Sequence, residues 1–476
     1  MDPHVLIFPL PLQGPIKCML KLAELLCLAD LQVTFLNTDD SHRRLFRRTG
    51  GRAGFKGYRK LHFDTISDGL PDDHPRSADR LTDLVHGLES VTKPRFREML
   101  AYGRLSSGSE RPVTCIIADG ALNFALDVAE EFKIPLIHFD TISPCGLWTY
   151  LCLPKLIDAG ELPFQGDDLD AAIKNVPGME GFLRRRDLPS FCRGSDLNDP
   201  IIQLVLEEAQ KVPRSHGLIL NTFQELDSPI LSHMQALCPN LYPIGPLHTH
   251  LKTKLTPASP QPAAASTTSL WEEDRSCMAW LDAQPPKSVV YVSIGSLALM
   301  TWHQLIEFWH GLVNSGQRFL WVRRPNSVVR GPTGLVPEEL VRATEERGCL
   351  VGWAPQEEVL AHQAVGLFLT HSGWNSTLES LVEAVPMVCW PYFVDQQVNS
   401  RLVSEVWRVG MDMKDTCDRV VIERMIRDLV GTIDGSDEVV ESLESVSRLA
   451  RESVMEGGSS FCNLNRLIED IRLMKM

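Results

Sequence analysis

Polar residues that could bind an anion are concentrated in residues 353–396. There an apolar segment of strand type, VGLFLT, runs into HSGWNS, and a helix is predicted to begin near Ser376. The start of a helix leaves backbone N–H groups without partners and carries partial positive charge, which favours an anion. Gly373 allows close approach to the backbone, and the side chains of His371 and Asn375 offer further donors. The pattern predicts a diphosphate site.

The same residues also have structural interpretations. Ser376 and Glu379 have the spacing of a capping box, in which the carboxylate only accepts a backbone N–H, and on spacing alone this interpretation comes first. His371 is equally typical of a hydrogen-bonded core histidine. The three tryptophans, Trp353, Trp374 and Trp390, could all be core aromatics. The pair Asp395 and Gln396 could simply open the next helix.

Groups that could transfer a proton lie in the first half of the chain. FPLPLQGPIKCMLKLAELL reads as a strand end, a Gly-Pro turn and a helix, and nothing between Phe8 and Ile16 carries a proton. Asp119 in IIADG and Asp140 in LIHFDTIS each lie at the end of an apolar strand, at the edge where open α/β sheets hold ligands. A strand-end Asp is also often only a helix N-cap.

The bulk composition narrows the class of protein. The chain has 476 residues, a net charge of −14 and a pI near 5.5, which argue for two lobes and against a general nucleic-acid or membrane-surface binder. Its 12 cysteines contain no Cys-x-x-Cys pair and predict reduced thiols of a cytoplasmic protein. MDPHVLIFPL lacks the basic region of a signal peptide, and no apolar run is long enough to span a membrane.

Short apolar runs alternate with amphipathic stretches in both halves, an order typical of parallel doubly wound sheets. We predict a first lobe over residues 1–247, a mobile linker rich in Pro, Ala, Ser and Thr over 248–270, and a second lobe over 271–455. Residues 456–476 are predicted to form a helix that docks back on a lobe through one apolar face. Neither G-x-G-x-x-G nor G-x-x-x-x-G-K occurs, which counts against a standard dinucleotide or P-loop site.

The whole segment 353–396, from its opening Trp to its closing Asp-Gln pair, resembles the signature box of plant family-1 UDP-sugar glycosyltransferases. The likeness extends over essentially the full chain, because the first βα turn, IIADG and VSIGS also fall where that family has them. The resemblance implies an α/β fold of the GT-B type, with two Rossmann-like parallel-sheet lobes facing a cleft. It also implies an inverting transfer from a nucleotide sugar.

The resemblance implies a role for each residue of the box. Trp353 would stack on the uracil, Gln356 would lie beside the base and ribose, and Glu379 would bind the ribose hydroxyls. The closing Gln396 is usual among glucose users, so UDP-glucose is the expected co-substrate, with no other cofactor and no metal. The other expected donor-binding residues hold the diphosphate (Ser296, His371, Gly373, Asn375, Ser376), read the sugar (Trp374, Asp395, Gln396) or line the donor site (Ala354).

The family's catalytic base is missing. In that family a His after the glycine of the first βα turn takes the acceptor proton, and a strand-end Asp orients it. Here Pro15 stands at the position of the His, while Asp119 matches the orienting Asp. Asp140 stands where the family often has Trp, and Thr141 matches a position near the sugar.

Four explanations are open for this departure. Asp119 could act as the base, directly or through a water, on a hydroxyl more acidic than that of a plain alcohol. The acceptor could instead be already ionised, and these two explanations are preferred jointly. In the third, His138 or Asp140 substitutes as the base. In the fourth, the protein binds a sugar nucleotide without useful turnover.

The QGP opening and FDTISPCGLW resemble a subgroup that glucosylates iridoid and related monoterpenoid aglycones. We therefore expect the first lobe to bind a small apolar hydroxylated acceptor, terpenoid or phenolic, and the product to be a β-glucoside. The alternative is a UDP-sugar-binding pseudoenzyme or binding module. An α/β oxidoreductase is disfavoured by the missing dinucleotide fingerprint, no nucleic-acid partner is expected, and the pattern does not indicate an oligomeric state.

Overall fold

The computed structural model describes residues 3–48, 55, 57–103, 105, 112–255, 269–325, 327–329, 336–433 and 437–474. Two parallel sheets organise them. The first contains β1 (His4–Phe8), β2 (Gln32–Thr38), β3 (Leu61–Ile66), β4 (Cys115–Asp119), β5 (Leu136–Asp140), β6 (Gly217–Leu220) and β7 (Leu241–Pro243). The second contains β8 (Val289–Ser293), β9 (Arg318–Val322), β10 (Gly348–Val351), β11 (Val365–Thr370), β12 (Met387–Cys389) and β13 (Gly410–Asp412).

Helices connect these strands. Those before the second sheet are α1 (Gln13–Leu28), α2 (Asp39–Arg48), α3 (Leu81–Gly87), α4 (Lys93–Ala101), α5 (Phe124–Glu131), α6 (Pro144–Asp158), α7 (Pro200–Lys211), α8 (Gln224–Leu237) and α9 (Leu247–Lys254). Those that follow are α10 (Ser276–Asp282), α11 (Trp302–Asn314), α12 (Glu338–Arg347), α13 (Gln356–Leu360), α14 (Trp374–Val382), α15 (Gln396–Arg401), α16 (Arg419–Ile433), α17 (Asp437–Ser453) and α18 (Ser459–Leu473). Within the described ranges, no helix combines the length and the apolar character that a membrane crossing needs.

Both sheets are buried on their two faces, as expected for parallel sheets between helical layers. In β1, Val5 and Ile7 enter one core cluster while Leu6 and Phe8 enter another. In β8, Tyr291 likewise packs in one core cluster, whereas the residues on either side of it pack in another. The predicted α/β class with two Rossmann-like lobes is confirmed.

Strand order decides where each lobe can bind a ligand. The first sheet has the order β3-β2-β1-β4-β5-β6-β7 and the second β10-β9-β8-β11-β12-β13. The order therefore reverses between β1 and β4, and between β8 and β11. A crevice forms outside the carboxyl ends of the strands at such a reversal. The turn before α1, Asp119, the loop after β8 and the loop after β11 all lie at these two points.

The predicted linker begins too early. Residues 248–254 belong to α9, in which Leu247 and Leu251 are buried in the core of the first lobe. The linker prediction is wrong for these residues, because two apolar residues four apart anchor a helix whose other positions are polar. Residues 256–268 lie outside the described residues, and Leu270 again packs in the first-lobe core.

The last helix, α18, packs on the first lobe although it follows the second. Leu464, Leu467, Ile468 and Ile471 join the first-lobe core, as their shared helical face predicts. The Tyr242 hydroxyl of β7 donates to Asp470 Oδ2 of α18 at 2.8 Å.

Helix α14 begins two residues before the predicted position. Gly373, at φ −63° and ψ 143°, is the residue before its first turn, and Trp374 is the first helical residue. Ser376 and Glu379 therefore lie inside the helix, and the capping-box interpretation of this pair is wrong. A capping box is present instead at the start of α11, where Thr301 and Gln304 make both of its hydrogen bonds.

Candidate active site

One cavity of about 1200 Å³ lies between the two lobes, against both points of strand reversal. Apart from His138, the site residues predicted from the sequence all line this cavity. From the first lobe these are Pro15, Asp119, Asp140 and Thr141, and from the second Ser296, Trp353, Ala354, Gln356, His371, Gly373, Trp374, Asn375, Ser376, Glu379, Asp395 and Gln396.

The amino end of α14 opens on this cavity. The first helical bond runs from the Thr377 N–H to Gly373 O at 3.0 Å, so the N–H groups of the three preceding residues have no acceptor within the helix. His371 Nε2 lies against Gly373 and Gly295, since a Cβ added to either glycine would come within 2.5 and 2.4 Å of it. Burial lowers the pKa of His371 to about 4, so the imidazole is neutral at pH 7.

Glu379 stands one helical turn beyond Ser376 and is almost completely buried. The Gln356 amide joins the two residues, because Nε2 donates to Ser376 Oγ and to Glu379 Oε2, each at 2.9 Å. Gln356 Oε1 in turn accepts from the Tyr291 hydroxyl at 3.2 Å. The carboxylate is thus held in one orientation at the cavity wall.

Trp353 lies half-buried at the same wall and stacks on Trp271, with ring centroids 5.8 Å apart and planes at 26°. Ala354 follows it and is buried. Ser296 lies in the loop after β8, immediately after Gly295, whose φ of +76° is the left-handed region that favours glycine.

Three residues expected at the sugar are engaged in structural contacts. The Trp374 indole N–H donates to Asn221 O of the first lobe at 2.8 Å, so its side chain cannot also donate to a sugar hydroxyl. Asp395 Oδ2 accepts from the Ser143 N–H at 2.9 Å, and Gln396 Oε1 accepts from two backbone N–H groups. Gln396 Nε2 stays able to donate, and the expectation that these three residues contact the sugar stays a prediction.

Comparison with known proteins places the chain in a family. Residues 261–422 match the family described as UDP-glucoronosyl and UDP-glucosyl transferase. Over 474 residues, 99% of this chain and 98% of the relative, the sequence is 52% identical to a 7-deoxyloganetic acid glucosyl transferase of Catharanthus roseus. The chain belongs to the UDP-glycosyltransferase family.

Solved structures agree with this assignment. Os79 from O. sativa in complex with UDP superposes with a TM-score of 0.79 at 28% identity, covering 98% of this chain and 100% of that one. A UDP-glucose: anthocyanidin 3-O-glucosyltransferase in complex with UDP gives 0.81 at 25% identity, covering 99% of each chain. The glycosyltransferase therefore has the GT-B fold, as expected from its signature box.

In the first lobe of the glycosyltransferase, Asp119 is held by one residue that follows β4 and one that follows β5. Its Oδ1 accepts from the Ala121 N–H and its Oδ2 from the Thr141 hydroxyl, both at 3.1 Å. It caps no helix, because α5 begins at Phe124 after Asn123, so the N-cap interpretation is wrong. Burial, and next the charge of Asp140, raise the pKa of Asp119 to about 7.

Glu208 was not predicted from the sequence, yet it lies beside Asp140 on the same cavity wall. The two carboxyl groups are close enough for each to influence the pKa of the other. Burial raises the pKa of both, that of Glu208 well above its usual value. Both carboxyl groups lie close to Gly120, where an added Cβ would lie 2.2 Å from Glu208 Oε1 and 2.5 Å from Asp140 Oδ2.

Pro15 occupies the first turn of α1, where a backbone N–H has no helical acceptor to lose. It borders the cavity without offering a proton acceptor. His138 is fully buried, and burial lowers its pKa to about 4. It does not line the cavity in the part of the chain that is described, which argues against it as a substitute base.

Lys17 was also missed by the sequence analysis. It projects from α1 across the cleft, and its Nζ lies 2.6 Å from Glu379 Oε1 and 2.9 Å from Glu357 Oε1. A lysine in an amphipathic helix is normally predicted to face solvent. Only the placement of α1 against the second lobe brings this side chain into the cavity.

Proposed function

We propose that this glycosyltransferase transfers glucose from UDP-glucose to a hydroxyl of a small, largely apolar acceptor, with inversion at the anomeric carbon. The observation that carries the proposal is that the amino end of α14 and the carboxyl group of Asp119, one from each lobe, open on the same cavity. The relative named a 7-deoxyloganetic acid glucosyl transferase supports glucose as the sugar and an iridoid acceptor.

The second lobe would bind the nucleotide. Trp353 offers a flat face to the uracil, and Glu379 offers a carboxylate to the ribose hydroxyls. The N–H groups at the start of α14, the Ser376 hydroxyl and Ser296 would hold the diphosphate. Gln396 would donate to a sugar hydroxyl through Nε2.

Departure of UDP would be assisted by the same helix terminus. Negative charge grows on the diphosphate as the bond to the anomeric carbon breaks, and fixed backbone dipoles stabilise it without reorganising. His371, neutral at pH 7, would contribute as a hydrogen-bond donor and not as a cation. We expect this departure to need no metal ion.

Asp119 would serve as the base in place of the missing imidazole. A carboxyl group with a pKa of about 7 is matched to proton abstraction near neutral pH. It would take the acceptor proton as the acceptor oxygen bonds to the anomeric carbon and UDP leaves from the opposite face, giving a β-glucoside from the α-linked donor. A hydroxyl more acidic than a plain alcohol, such as a hemiacetal or phenol, suits this weaker base.

The acceptor end of the cavity favours an apolar molecule. Its wall consists largely of apolar side chains from α3, α5, α7 and neighbouring loops, namely Leu84, Val85, Leu88, Phe124, Phe191, Ile201, Leu204 and Val205. Burial of such a surface provides affinity that does not depend on the reacting hydroxyl.

The competing function is a UDP-sugar-binding protein without useful turnover, and the observation that favours it is Pro15 at the position of the usual base. The test incubates the protein with UDP-glucose and either 7-deoxyloganetic acid, a phenol or a plain alcohol. Mass spectrometry then detects glucoside and UDP, and the proton coupling of the anomeric centre reports its configuration. We expect a β-glucoside from the acidic hydroxyls. Calorimetric binding of UDP without product from any acceptor would favour the binding protein.

A further inference from the structure

We propose that Lys17, a residue of the acceptor-binding lobe, completes the nucleotide site from the opposite side of the cleft by holding Glu379 as a carboxylate oriented toward the ribose. The inference rests on the proposed function, because it assigns Glu379 to the ribose. It makes Lys17 a positioning residue for donor binding.

Lys17 and Gln356 each contact one oxygen of the Glu379 carboxyl group. Lys17 Nζ lies 2.6 Å from Glu379 Oε1, with 19% of the lysine side chain and 3% of the glutamate side chain exposed. Gln356 Nε2 contacts the other oxygen, Oε2, at 2.9 Å. Each carboxylate oxygen has two lone pairs, so each keeps one for a further donor. Two acceptor positions therefore remain, which matches the two hydroxyls of a ribose.

The charged groups around Glu379 influence whether its carboxyl group is ionised. Burial raises the pKa of Glu379, the nearby charge of Glu357 raises it further, and Lys17 opposes both. Lys21 lies 3.1 Å from Glu357 Oε1, so Glu357 has two lysines and its pKa is held well below the usual value despite burial. Lys17 is the cation that contacts Glu379 in the described part of the chain. Without it, the buried Glu379 would take up a proton and lose an acceptor position.

Other groups that face this cluster do not replace Lys17. Burial lowers the pKa of His248 and raises the pKa values of Cys18 and Tyr291, so these three groups favour their neutral forms. Burial also raises the pKa of Glu273, which is not a cation in either form. These neighbours come from every element packed around the pair, namely Cys18 and Lys21 of α1, His248 of α9, Glu273 before α10, Tyr291 of β8 and Glu357 of α13.

The experiment measures UDP binding by calorimetry to the full-length wild type and to Lys17→Met, from about pH 6 to about pH 8. We expect Lys17→Met to bind UDP about ten-fold to a hundred-fold more weakly at pH 7, the loss typical of a buried group that loses its charged partner. The difference from the wild type should grow as pH falls, because Glu379 then protonates. Comparing the two proteins at each pH removes the titration of UDP itself.

Two comparisons isolate the ribose. Lys21→Met removes an ion pair to Glu357 from the same helix but no contact with Glu379, so we expect an effect of at most about two-fold. 2′,3′-Dideoxyuridine diphosphate keeps the phosphates but lacks the ribose hydroxyls, and its affinity should depend little on Lys17. Lys17→Arg should restore part of the affinity for UDP. If Lys17→Met does not fold, Lys17→Gln, which removes only the charge, serves in its place.

The outcomes separate the two proposals. Equal or tighter UDP binding by Lys17→Met at every pH would overturn the role of Lys17 while leaving the proposed function intact. An equal loss with both nucleotides would also overturn it, because the lysine would then act on the phosphates. A wild type that does not bind UDP at all would instead overturn the proposed function.

Discussion

At the scale of single residues, the proton acceptor of the reaction is the decisive question. Asp119→Asn keeps the size and the contact with Thr141 but removes the base. We expect kcat to fall about 10²-fold to 10⁴-fold, the usual contribution of a positioned general base, with UDP affinity unchanged. Steady-state kinetics with a phenolic acceptor, together with UDP calorimetry, measure both quantities. Unchanged turnover would remove Asp119 from the mechanism and favour an acceptor that arrives ionised.

A second residue-scale prediction concerns the pH dependence set by Asp140. The base must be ionised, so kcat/KM should rise with pH through the pKa of Asp119, about 7. The charge of Asp140 is the second cause that raises this pKa, after burial. Asp140→Asn should therefore move the rising limb of the profile to lower pH. A limb at the same pH in both proteins would show that Asp140 is uncharged in the working enzyme.

The site residues that the sequence predicted and those that it did not predict lie on different kinds of element. Asp119 ends a strand, and strand ends converge on one edge of a parallel sheet, so its location followed from the pattern. Glu208 and Lys17 stand on helices, whose rotation toward the cleft depends on packing between elements that are distant in sequence. The hydrogen bond from the Trp374 indole to Asn221 O could not be predicted either, because it joins the two lobes across 153 positions of sequence.

At the scale of elements, we propose that the start of α14 binds the diphosphate of the donor. Gly373→Ala would place a Cβ 2.5 Å from His371 Nε2, so the imidazole must move or the turn must open. We expect UDP affinity to fall about ten-fold, since one displaced donor of a charged group costs about that much. Gly431→Ala in α16 is the matched control, because no atom of the described residues beyond its chain neighbours and the adjacent helix backbone lies within 4 Å of its added Cβ. Equal UDP affinity in both variants would contradict the assignment of the anion site.

Element types were predictable where the apolar pattern was strong. The strands of both sheet centres are continuous apolar runs, and their order predicted the α/β class. The boundaries were less accurate. The start of α14 was misplaced because an extended glycine is typical of a loop. Helix α9 was missed because LHTHLKTK contains only two leucines to anchor it.

At the scale of the whole molecule, two lobes meet at one cavity, and the sequence predicted this arrangement through the repeated βα pattern and the family likeness. The contacts that fix one lobe against the other were not predictable, because each joins residues that no local pattern relates. Asn375 Nδ2 donates to Gly14 O at 3.1 Å, and Ser143 N to Asp395 Oδ2 at 2.9 Å. Residues that we propose to bind the two substrates thus also join the lobes, so we expect substitutions there to affect the geometry of the cleft as well as substrate binding.

The last prediction concerns α18, which ties the end of the chain to the first lobe. Leu467 is fully buried in the first-lobe core, so Leu467→Ala should lower the stability of that lobe by about 2–5 kcal/mol, the usual cost of a buried Leu→Ala change. Asn465→Ala, an exposed position on the same helix, is the control. Calorimetry should show a lower unfolding temperature for Leu467→Ala alone, while its UDP affinity well below that temperature stays that of the wild type. This follows because the predicted nucleotide contacts come mainly from the second lobe. A loss of UDP affinity in the folded variant would instead show that α18 sets the distance between the lobes.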